Sequence, residues 1–343
     1  MAPKAHIVLL ATPPAETQGV QGLPNLMKAI DWAIAKYPSG TVFSMSFATN
    51  EQAFGSKSAA ATQFAKFDAT FKRGLAKHDT FFGSSGDTGS VGAVRSHRAT
   101  TTGATPEVSY PNVSPYVTSV GGTQVQSGWT WNPTVDQPFL DTGARNPLYW
   151  DWKTGGSSEA VWNESWAGIA TGGGLSTVYG RPSYQDPVAS VVGTQRGVPD
   201  VAWNAAVNGG VLVYHSYFPE IEGSPAWAVF GGTSSSSPQV AAVTAIANQT
   251  RATAHKQPIG DLNSVIYSGS FDRSAAFNDV IAQTYGSTPS GVLKNNQIWD
   301  TDATGFVTPD PVTGYPTTSG YDLTTGWGSP HAPGYIDQLA SQN

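Results

Sequence analysis

The most informative stretch of the chain is Gly232-Thr233-Ser234-Ser235-Ser236-Ser237-Pro238-Gln239-Val240-Ala241-Ala242. Small residues and a proline lead into a helical pattern, which predicts that Ser234 lies at the start of a helix. There it is surrounded by backbone N–H groups that lack intrahelical partners, at the positive end of the helix dipole. That environment suits a nucleophilic oxygen whose attack creates negative charge nearby. A serine-rich loop that only caps the helix would have a similar composition.

The composition is that of a compact globular protein with few charges. Hydrophobic residues make up 39% of the 343 residues and charged residues 12%, about half of the usual charged share of roughly 25%. The net charge is −6, from 18 basic and 24 acidic residues, and no basic stripe indicates nucleic-acid binding. A surface with few carboxylates changes its charge little on acidification, which fits an acidic environment.

The N-terminal apolar run and the absence of cysteine exclude several classes of protein. Without cysteine there are no disulfides, thiol nucleophiles or thiolate metal sites. The run His6–Ala11 is shorter than the roughly 7–15 apolar residues of a secretory signal, so we expect no signal peptide here and interpret the run as a buried strand. No segment approaches the roughly 18 apolar residues of a membrane span, so no membrane partner is expected.

Strand-like and helix-like segments alternate along the first 120 residues. The predicted strands are His6–Ala11, Thr41–Phe47, Thr80–Ser84 and Tyr116–Val120, and the predicted helices are Asn25–Lys36 and Gln63–His78. Such alternation predicts an α/β fold with a parallel sheet and helices on both faces. Functional groups then collect on loops beyond the carboxyl ends of the strands, and Asp87 follows such an end.

Residues 127–170 have a different texture from the rest of the chain. They contain six of the eleven tryptophans, Trp129, Trp131, Trp150, Trp152, Trp162 and Trp166. Two interpretations stay open: an insertion attached to the domain by aromatic packing, or one wall of a substrate cleft. Because no linker divides the chain, we predict a single catalytic domain over residues 1–343 with this Trp-rich insertion inside it.

A serine nucleophile requires a base. The Ser234 segment and Asp87-Thr88-Gly89 resemble motifs of the subtilisin-like serine peptidases, in which the base is a histidine followed by glycine. None of the six histidines here is followed by glycine. His97 is flanked by arginines, which disfavour its protonation, and His215 lies in a strand-like segment. A His-dependent hydrolase is therefore the least favoured alternative.

Eight segments in order resemble the sedolisins, the serine-carboxyl peptidases of the subtilisin-like superfamily. They are Val42–Phe47 with Glu51, Phe82–Gly89, Tyr110–Pro111, Ser114–Thr123, Thr171–Ser176, Arg196–Ala202, the Ser234 segment and Gly320–Pro330. The resemblance implies a subtilisin-like parallel sheet flanked by helices, with a C-terminal loop region held by calcium. It also implies an extracellular enzyme that cleaves polypeptides.

The resemblance assigns Ser234 as the nucleophile and Asp87 as the carboxyl group of the oxyanion hole. A carboxyl group can stabilise an oxyanion only when it is protonated and donates a hydrogen bond, which ties the activity to acid pH. A turn-forming aspartate ahead of a glycine is the plainer interpretation of Asp87.

In the sedolisins the base is a Glu backed by an Asp, four residues apart on a helix ahead of the first matching strand. No pair in this sequence matches them, and neither Glu16 nor Asp31 stands at the family's position. We therefore expect an N-terminally truncated catalytic domain of impaired activity, with its own N-terminal segment or prosegment as a possible partner. A non-catalytic protein that binds peptides in the same cleft is the alternative from another class.

The resemblance also implies binding sites for substrate and calcium. The predicted substrate-binding residues are Ser85 and Gly86, beside the pocket for the residue before the cut, and Gly172, Gly173 and Gly174, where an extended peptide can pair in β fashion. The predicted Ca²⁺ ligands are the carboxylates of Asp279 and Asp322 and the carbonyls of Val280, Thr318 and Gly320. Thr318 stands where the family commonly has glycine. Two unrelated loop aspartates are the alternative.

Overall fold

The computed structural model describes residues 1–12, 19–95, 100–127, 157–164, 168–207, 209–215, 226–284, 292–301, 307–309 and 312–342. The long helices are α1 (Gly19–Lys36), α2 (Lys57–Leu75), the serine helix (Thr233–Thr253) and the C-terminal helix (Ala332–Ser341). Shorter helical segments are Ala189–Val192, Leu262–Ile266, Arg273–Ala276 and the 3-10 turns Glu51–Phe54 and Ser183–Val188.

The described strands are β1 (Val42–Met45), β2 (Thr49–Asn50), β3 (Thr80–Ser84), β4 (Val91–Arg95), β5 (Thr100–Pro106), β6 (Ser109–Tyr110), β7 (Thr118–Ser127), β8 (Ser157–Val161), β9 (Asn163–Glu164), β10 (Ile169–Ala170), β11 (Gly174–Gly180), β12 (Gln195–Val198), β13 (Val201–Asn204), β14 (Val211–His215), β15 (Ala226–Phe230), β16 (Phe277–Asn278), β17 (Gln283–Thr284), β18 (Val292–Leu293), β19 (Trp299–Thr301), β20 (Val307–Pro309) and β21 (Ser329–Pro330).

A parallel sheet with strand order β1-β3-β7-β13 forms the centre of the described structure, and β8 pairs with β7 in the antiparallel sense. The register places Val42 opposite Thr80, Phe82 opposite Thr118 and Val201 opposite Val120. All five residues of β3 are buried, as expected for a strand covered on both faces. The predicted parallel sheet is confirmed.

Helices cover both faces of this sheet. Neighbouring side chains of a strand point to opposite faces, so successive residues of β3 pack against different helices. Phe81 of β3 packs in a buried cluster with residues of α1 and α2, including Ile30 and Phe64. Phe82, the next residue, packs in a second cluster with the serine helix and the C-terminal helix, including Val240. The two hydrophobic cores therefore lie on opposite faces of one sheet.

The carboxyl ends of the parallel strands meet at one edge, and the serine helix begins there. Ser46, just beyond β1, donates a hydrogen bond to the Ser234 carbonyl at 3.1 Å. Ser85, just beyond β3, donates its backbone N–H to the Val120 carbonyl at 2.9 Å. This is the edge at which functional groups of an α/β sheet are expected.

The prediction of a buried strand at His6–Ala11 is wrong. This run is irregular, and Ile7 and Leu9 are 86% and 89% exposed. A strand requires a hydrogen-bonded neighbour, and among the described strands none pairs with the run. Leu10 packs partly against the core beneath α1 and α2. The apolar composition of the run therefore accounts for this contact but does not make the run a strand.

Helix α1 begins six residues earlier than predicted, at Gly19 rather than Asn25. The extra turns include Pro24, a residue that usually marks a helix boundary. Leu23 lies on the buried face of these turns and is 1% exposed. Tertiary burial thus overrides the local preference of proline.

The Trp-rich segment is described only at its C-terminal end. Trp162 is fully buried against Ala205 and Ala206, and its indole N–H donates to Glu164 Oε2 at 2.8 Å. This tryptophan therefore belongs to the core. The other five tryptophans of the segment lie outside the described residues, so the extent and role of the insertion stay a prediction.

Candidate active site

The predicted catalytic residues Asp87 and Ser234 are connected through Thr233. Asp87 follows the carboxyl end of β3, and Thr233 is the first residue of the serine helix. The Asp87 Oδ1 atom accepts hydrogen bonds from the Thr233 backbone N–H at 2.7 Å and from the Thr233 hydroxyl at 2.8 Å. The structure therefore brings the predicted oxyanion-stabilising carboxyl group to the first turn of the helix that carries the predicted nucleophile.

Gly232 makes this approach possible. Its φ of +80° lies in the region that favours glycine. A Cβ atom at this position would lie 2.6 Å from Asp87 Oδ2, so a side chain would displace the carboxyl group. The Gly232 N–H donates to the Ala205 carbonyl at 2.7 Å, which attaches the start of the helix to the end of β13.

Burial separates Ser234 from two of the serines that follow it. The Ser236 hydroxyl is buried and donates to the Trp203 carbonyl at 3.0 Å. The Ser237 hydroxyl is also buried and pairs with the Ser44 hydroxyl at 3.0 Å. Ser234 is exposed on the first turn of the helix. Its side chain is therefore open to a substrate from solvent.

Segment 170–172 holds the backbone on both sides of Asp87. The Gly172 N–H donates to the Gly86 carbonyl at 2.7 Å, and the Ala170 N–H donates to the Asp87 carbonyl at 3.1 Å. The Gly89 N–H in turn donates to the Ala170 carbonyl at 3.0 Å. These three hydrogen bonds hold the backbone around Asp87 in place, so the carboxyl group extends from an anchored loop.

Thr233 is a residue to which sequence analysis assigned no role. It is 1% exposed, its hydroxyl accepts from the Gly86 N–H at 3.1 Å, and it holds Asp87 as described above. The sequence did contain a signal for Thr233, since it stands between Gly232 and Ser234 in the motif. The partners, however, are 146 and 147 residues away in sequence, and no local pattern predicts such a contact.

The predicted substrate-binding residues lie next to Asp87 and are mostly buried. Ser85, Gly172, Gly173 and Gly174 are buried, and Gly86 is half-buried. A Cβ atom on Gly172 would lie 2.3 Å from the Ser85 carbonyl oxygen, and one on Gly173 would lie 2.0 Å from that of Leu323. Close backbone packing therefore requires these two glycines, and their contact with a substrate stays a prediction. Within the described part of the chain the buried Ser85 hydroxyl has no hydrogen-bond partner.

Two of the histidines are far from Ser234. His78 precedes β3, at the end of that strand away from the serine helix N-terminus. His255 follows the C-terminus of the 21-residue serine helix, which at 1.5 Å per residue is about 30 Å from its N-terminus. His97 and the side chain of His215 lie outside the described residues, so the His-dependent alternative stays untested.

Asp31, one of the two carboxylates considered as a substitute base, is a surface ion-pair partner. It accepts from Arg73 Nε at 2.8 Å, and the side chains of Arg73 and Asp31 are 53% and 46% exposed. It joins α1 to α2 as a residue of the solvated helix face. Glu16, the other candidate, lies outside the described residues.

Comparisons with known proteins identify relatives of this chain, although no protein-family model matches it. Sedolisin of Pseudomonas sp. (strain 101) is 28% identical over 269 residues, which cover 76% of this chain and 35% of sedolisin. Kumamolisin of Bacillus sp. (strain MN-32) is 33% identical over 166 residues, 47% of this chain and 24% of kumamolisin. Tripeptidyl-peptidase 1 of Homo sapiens is 26% identical over 244 residues, 67% of this chain and 32% of the relative. The chain is therefore similar in sequence to the sedolisins over much of its length.

A solved structure of Pseudomonas sedolisin, a serine-carboxyl proteinase complexed with two molecules of pseudo-iodotyrostatin, shares the fold. The TM-score is 0.59 at 24% identity, over 94% of this chain and 70% of that one. The predicted α/β fold, a parallel sheet flanked by helices, is thereby confirmed, and it is similar to the fold of sedolisin. The matched region spans between a quarter and about a third of the length of the three curated relatives above.

The loops to which the sedolisin resemblance assigns calcium come together in this structure. Asp279 Oδ2 accepts from the Gly320 N–H at 2.9 Å, and Asp322 Oδ2 accepts from the Thr318 N–H at 2.9 Å. Both carboxylates therefore contact the same turn, and Val280 is buried beside Asp279. Among the described residues no group of three or more His, Cys, Asp or Glu could hold a metal. A cation here would require backbone carbonyls besides the two carboxylates, and such an all-oxygen set suits Ca²⁺.

Asp322 is the more constrained of the two carboxylates. It is 2% exposed, and its Oδ1 accepts hydrogen bonds from the backbone N–H groups and hydroxyls of Thr324 and Thr325. Burial raises the pKa of Asp322, and the hydrogen bonds from Thr318, Thr324 and Thr325 partly oppose that rise. These four donors all contact Oδ1, whereas Oδ2 is the oxygen that faces the turn at Thr318.

Proposed function

We propose that the chain is the catalytic portion of an acid-acting serine-carboxyl endopeptidase. One observation carries the proposal: the Asp87 carboxyl group is hydrogen-bonded through both donors of Thr233 to the helix start that bears the exposed Ser234. A carboxyl group, a hydroxyl group and the N-terminus of a helix thus share one small region. Homology to the sedolisins supports the same chemistry.

The proposed reaction begins with attack of the Ser234 Oγ on the carbonyl carbon of a peptide bond. The new C–O bond forms while the carbonyl electrons move to oxygen, and protonated Asp87 donates a hydrogen bond to that oxyanion. The C–N bond then breaks, the leaving amine takes a proton, and water hydrolyses the resulting ester. One such oxyanion donor typically contributes about 10²–10³ in rate.

Thr233 determines which oxygen of Asp87 faces the substrate in this proposal. Both donors of Thr233 are directed at Oδ1, so Oδ2 is the oxygen that carries the proton. A carboxyl group fixed on one oxygen is preorganised, and it loses little orientation when charge develops on the substrate.

The proton of Ser234 must pass to a base, and no position in this sequence matches the Glu and Asp of the sedolisin pattern. We therefore propose that this chain alone cleaves weakly. Loss of the base in a serine peptidase costs several orders of magnitude in rate, while binding and oxyanion stabilisation leave a residual rate.

We also propose that Asp279, Asp322 and the carbonyls of Val280, Thr318 and Gly320 bind Ca²⁺. The convergence of both carboxylates on one turn supports this site. The ion would hold the segment around Asp279 to the loop 318–322, a structural role away from the reacting bond.

The proposed substrate is a polypeptide, and the proposed location is extracellular. Both rest on the sedolisin resemblance. The helices that the structure describes are too short or too polar to cross a lipid bilayer.

Cleavage of a denatured protein at about pH 3–5 tests the proposal. Three proteins are compared: the chain as it is, its Ser234→Ala variant, and the chain with an N-terminal extension that carries a Glu-x-x-x-Asp helix. We expect weak cleavage, none, and strong cleavage, respectively. Equal cleavage by the Ser234→Ala variant would refute the role of Ser234.

Two other results would favour the alternatives. Peptide binding without cleavage in all three proteins would indicate a non-catalytic peptide-binding protein. A neutral pH optimum that is lost on substitution of His97 or His215 would indicate a His-dependent hydrolase.

A further inference from the structure

Strand β11 leaves its partner β12 for four residues. Pairing between the two strands stops after Leu175 and Gly197 and resumes at Gly180 and Gln195. Residues 176–179 therefore face a single residue of β12. Such a bulge frees backbone N–H groups from the sheet, and each of them requires another acceptor.

Glu51 and Ser176 supply these acceptors. Glu51 Oε2 accepts from the Thr177 N–H at 2.7 Å and from the Thr177 hydroxyl at 2.9 Å, and Oε1 accepts from the Ser176 hydroxyl at 2.5 Å. The Ser176 hydroxyl accepts in turn from the N–H groups of Val178 and Tyr179 at 3.1 and 2.8 Å. Glu51 is 1% exposed, so one buried carboxyl group and one hydroxyl accept the backbone N–H groups of Thr177, Val178 and Tyr179.

A second buried carboxyl group holds the far end of the bulge. Asp68 of α2 is 4% exposed, and its Oδ2 accepts from the Tyr179 hydroxyl at 2.7 Å. Its Oδ1 accepts from the hydroxyls of Tyr110 and Ser114 at 3.1 and 2.8 Å. Asp68 of α2 and Glu51 of the turn after β2 thus bind β11 at two places. We name Glu51 and Asp68 the carboxyl clamp.

We propose that the carboxyl clamp consists of positioning residues that set the path of β11, which begins at the predicted substrate-binding residue Gly174, and thereby set the affinity for an extended polypeptide. This inference rests on the proposed function. Ser176 is only four residues from Gly172, whose N–H is bonded to the Gly86 carbonyl next to Asp87. A bulge beside a functional site commonly re-aims the strand, and here the re-aimed strand leads directly to the candidate active site.

The hydrogen-bond roles explain why a carboxyl group is needed at Glu51. The Thr177 N–H can only donate, and the Ser176 hydroxyl must donate because it already accepts two N–H groups. Both oxygens of Glu51 therefore face obligate donors. Glutamine has the same shape but would place an NH₂ group against one of them, so Glu51→Gln is a specific probe of the clamp.

The clamp also tolerates acid. Burial raises the pKa of Glu51 and that of Asp68. The charged or titratable groups that act on the pair are Glu107 near Glu51, Lys72 near Asp68, and Tyr110 and Tyr179. A protonated Glu51 can donate to the Thr177 hydroxyl, which can reverse its role, while its oxygens still accept from the obligate donors. The clamp is thus compatible with the acid conditions of the proposed function.

Peptide binding in a Ser234→Ala background tests the inference, because the labelled peptide is then not consumed. The probe is a set of fluorescein-labelled casein peptides, and the Kd is measured by fluorescence anisotropy at about pH 4.5. We expect Glu51→Gln and Asp68→Asn to raise the Kd at least tenfold. Glu159→Gln is the matched control, since Glu159 accepts hydrogen bonds from the hydroxyls of Thr123 and Ser329, both at 2.6 Å, rather than from β11, and its Kd should stay within twofold.

A second measurement separates positioning from loss of folding. Hydrogen exchange of the amides at 176–179 should accelerate at least tenfold in Glu51→Gln, while the amides of β3 keep their protection. In the cleavage assay of the N-terminally extended protein, Glu51→Gln should raise KM and leave kcat within about twofold. A variant that merely unfolds would lose protection in β3 as well.

The outcomes distinguish this inference from the proposed function. Wild-type Kd values in Glu51→Gln, or unchanged exchange at 176–179, would overturn the role of the clamp and leave the peptidase proposal intact. A Ser234→Ala chain that binds no casein peptide, together with no cleavage by the N-terminally extended protein, would overturn the proposed function and the inference that rests on it.

Discussion

Replacement of Asp79 by Asn tests how this fold responds to pH. Asp79 immediately precedes β3 and is fully buried. Its Oδ1 accepts from the Thr41 N–H at 2.9 Å, and its Oδ2 has no partner among the described residues. Burial raises the pKa of Asp79 from 3.8 to about 6, against the opposing effects of Thr41 and Lys77.

The sign of the effect follows from the raised pKa. The folded chain binds this proton more tightly than the unfolded chain, so the contribution to stability is fully present below about pH 4 and is lost as the pH rises through about 6. A shift of about two pKa units corresponds to about 3 kcal/mol. Allowing for solvent screening, we expect the buried charge of Asp79 to cost about 1–3 kcal/mol at neutral pH.

The assay is urea unfolding at pH 4 and at pH 7.5. Asp79→Asn keeps the acceptor for Thr41 and removes the titration. We expect the variant to exceed the parent in free energy of unfolding by about 1–3 kcal/mol at pH 7.5 and to match it within about 0.5 kcal/mol at pH 4. Asp337→Asn, at an exposed site on the C-terminal helix, is the control and should change neither value. A variant that is less stable than the parent at pH 7.5 would refute the reasoning.

Three further predictions concern the candidate active site and the metal loops. Asp87→Ala should lower the rate of cleavage about 10²–10³-fold. Asp87→Asn donates a hydrogen bond at any pH and should therefore extend activity toward neutral pH, which a pH–rate profile measures. An unchanged alkaline limit in Asp87→Asn would contradict the proposal that Asp87 must be protonated. Thr233→Val should lower kcat about tenfold and Thr233→Ser should restore it, so equal kcat in both would exclude the hydroxyl as a positioning group. Addition of EGTA should lower the Tm of the chain, and Asp279→Asn should abolish that response; a Tm that is insensitive to chelator argues against bound calcium.

The parts of the fold that sequence predicted well are those with strong local patterns. Strand β3 is found at Thr80–Ser84, as predicted, because a short apolar run between turn residues fits a strand buried on both faces. Phe64 and Phe71 of α2 are fully buried, as their helical spacing indicates. The run His6–Ala11 has equally apolar residues, but a strand also requires a neighbour, and that requirement is not encoded in the run itself.

The candidate site was predictable in its motifs and not in its contacts. The Ser234 segment and Asp87 can each be found as a sequence pattern, and in the structure Thr233 connects the two. The hydrogen bonds of Thr233 and Glu51 connect segments more than 100 residues apart, so no local pattern contains them. Gly172 shows a further limit, since a small residue can indicate an open groove or tight packing, and only coordinates reveal the contact with Ser85.

The grip of Thr233 on Asp87 has a consequence for biosynthesis. During translation the loop after β3 leaves the ribosome long before residue 233 does, because 146 positions separate the two partners. Until then the Asp87 side chain lacks both donors of Thr233 that orient it, and the proposed nucleophile Ser234 has not yet been added to the polypeptide. If the chain has the proposed function, a growing polypeptide therefore has no complete active site until the start of the serine helix has been synthesised and has folded onto the loop after β3.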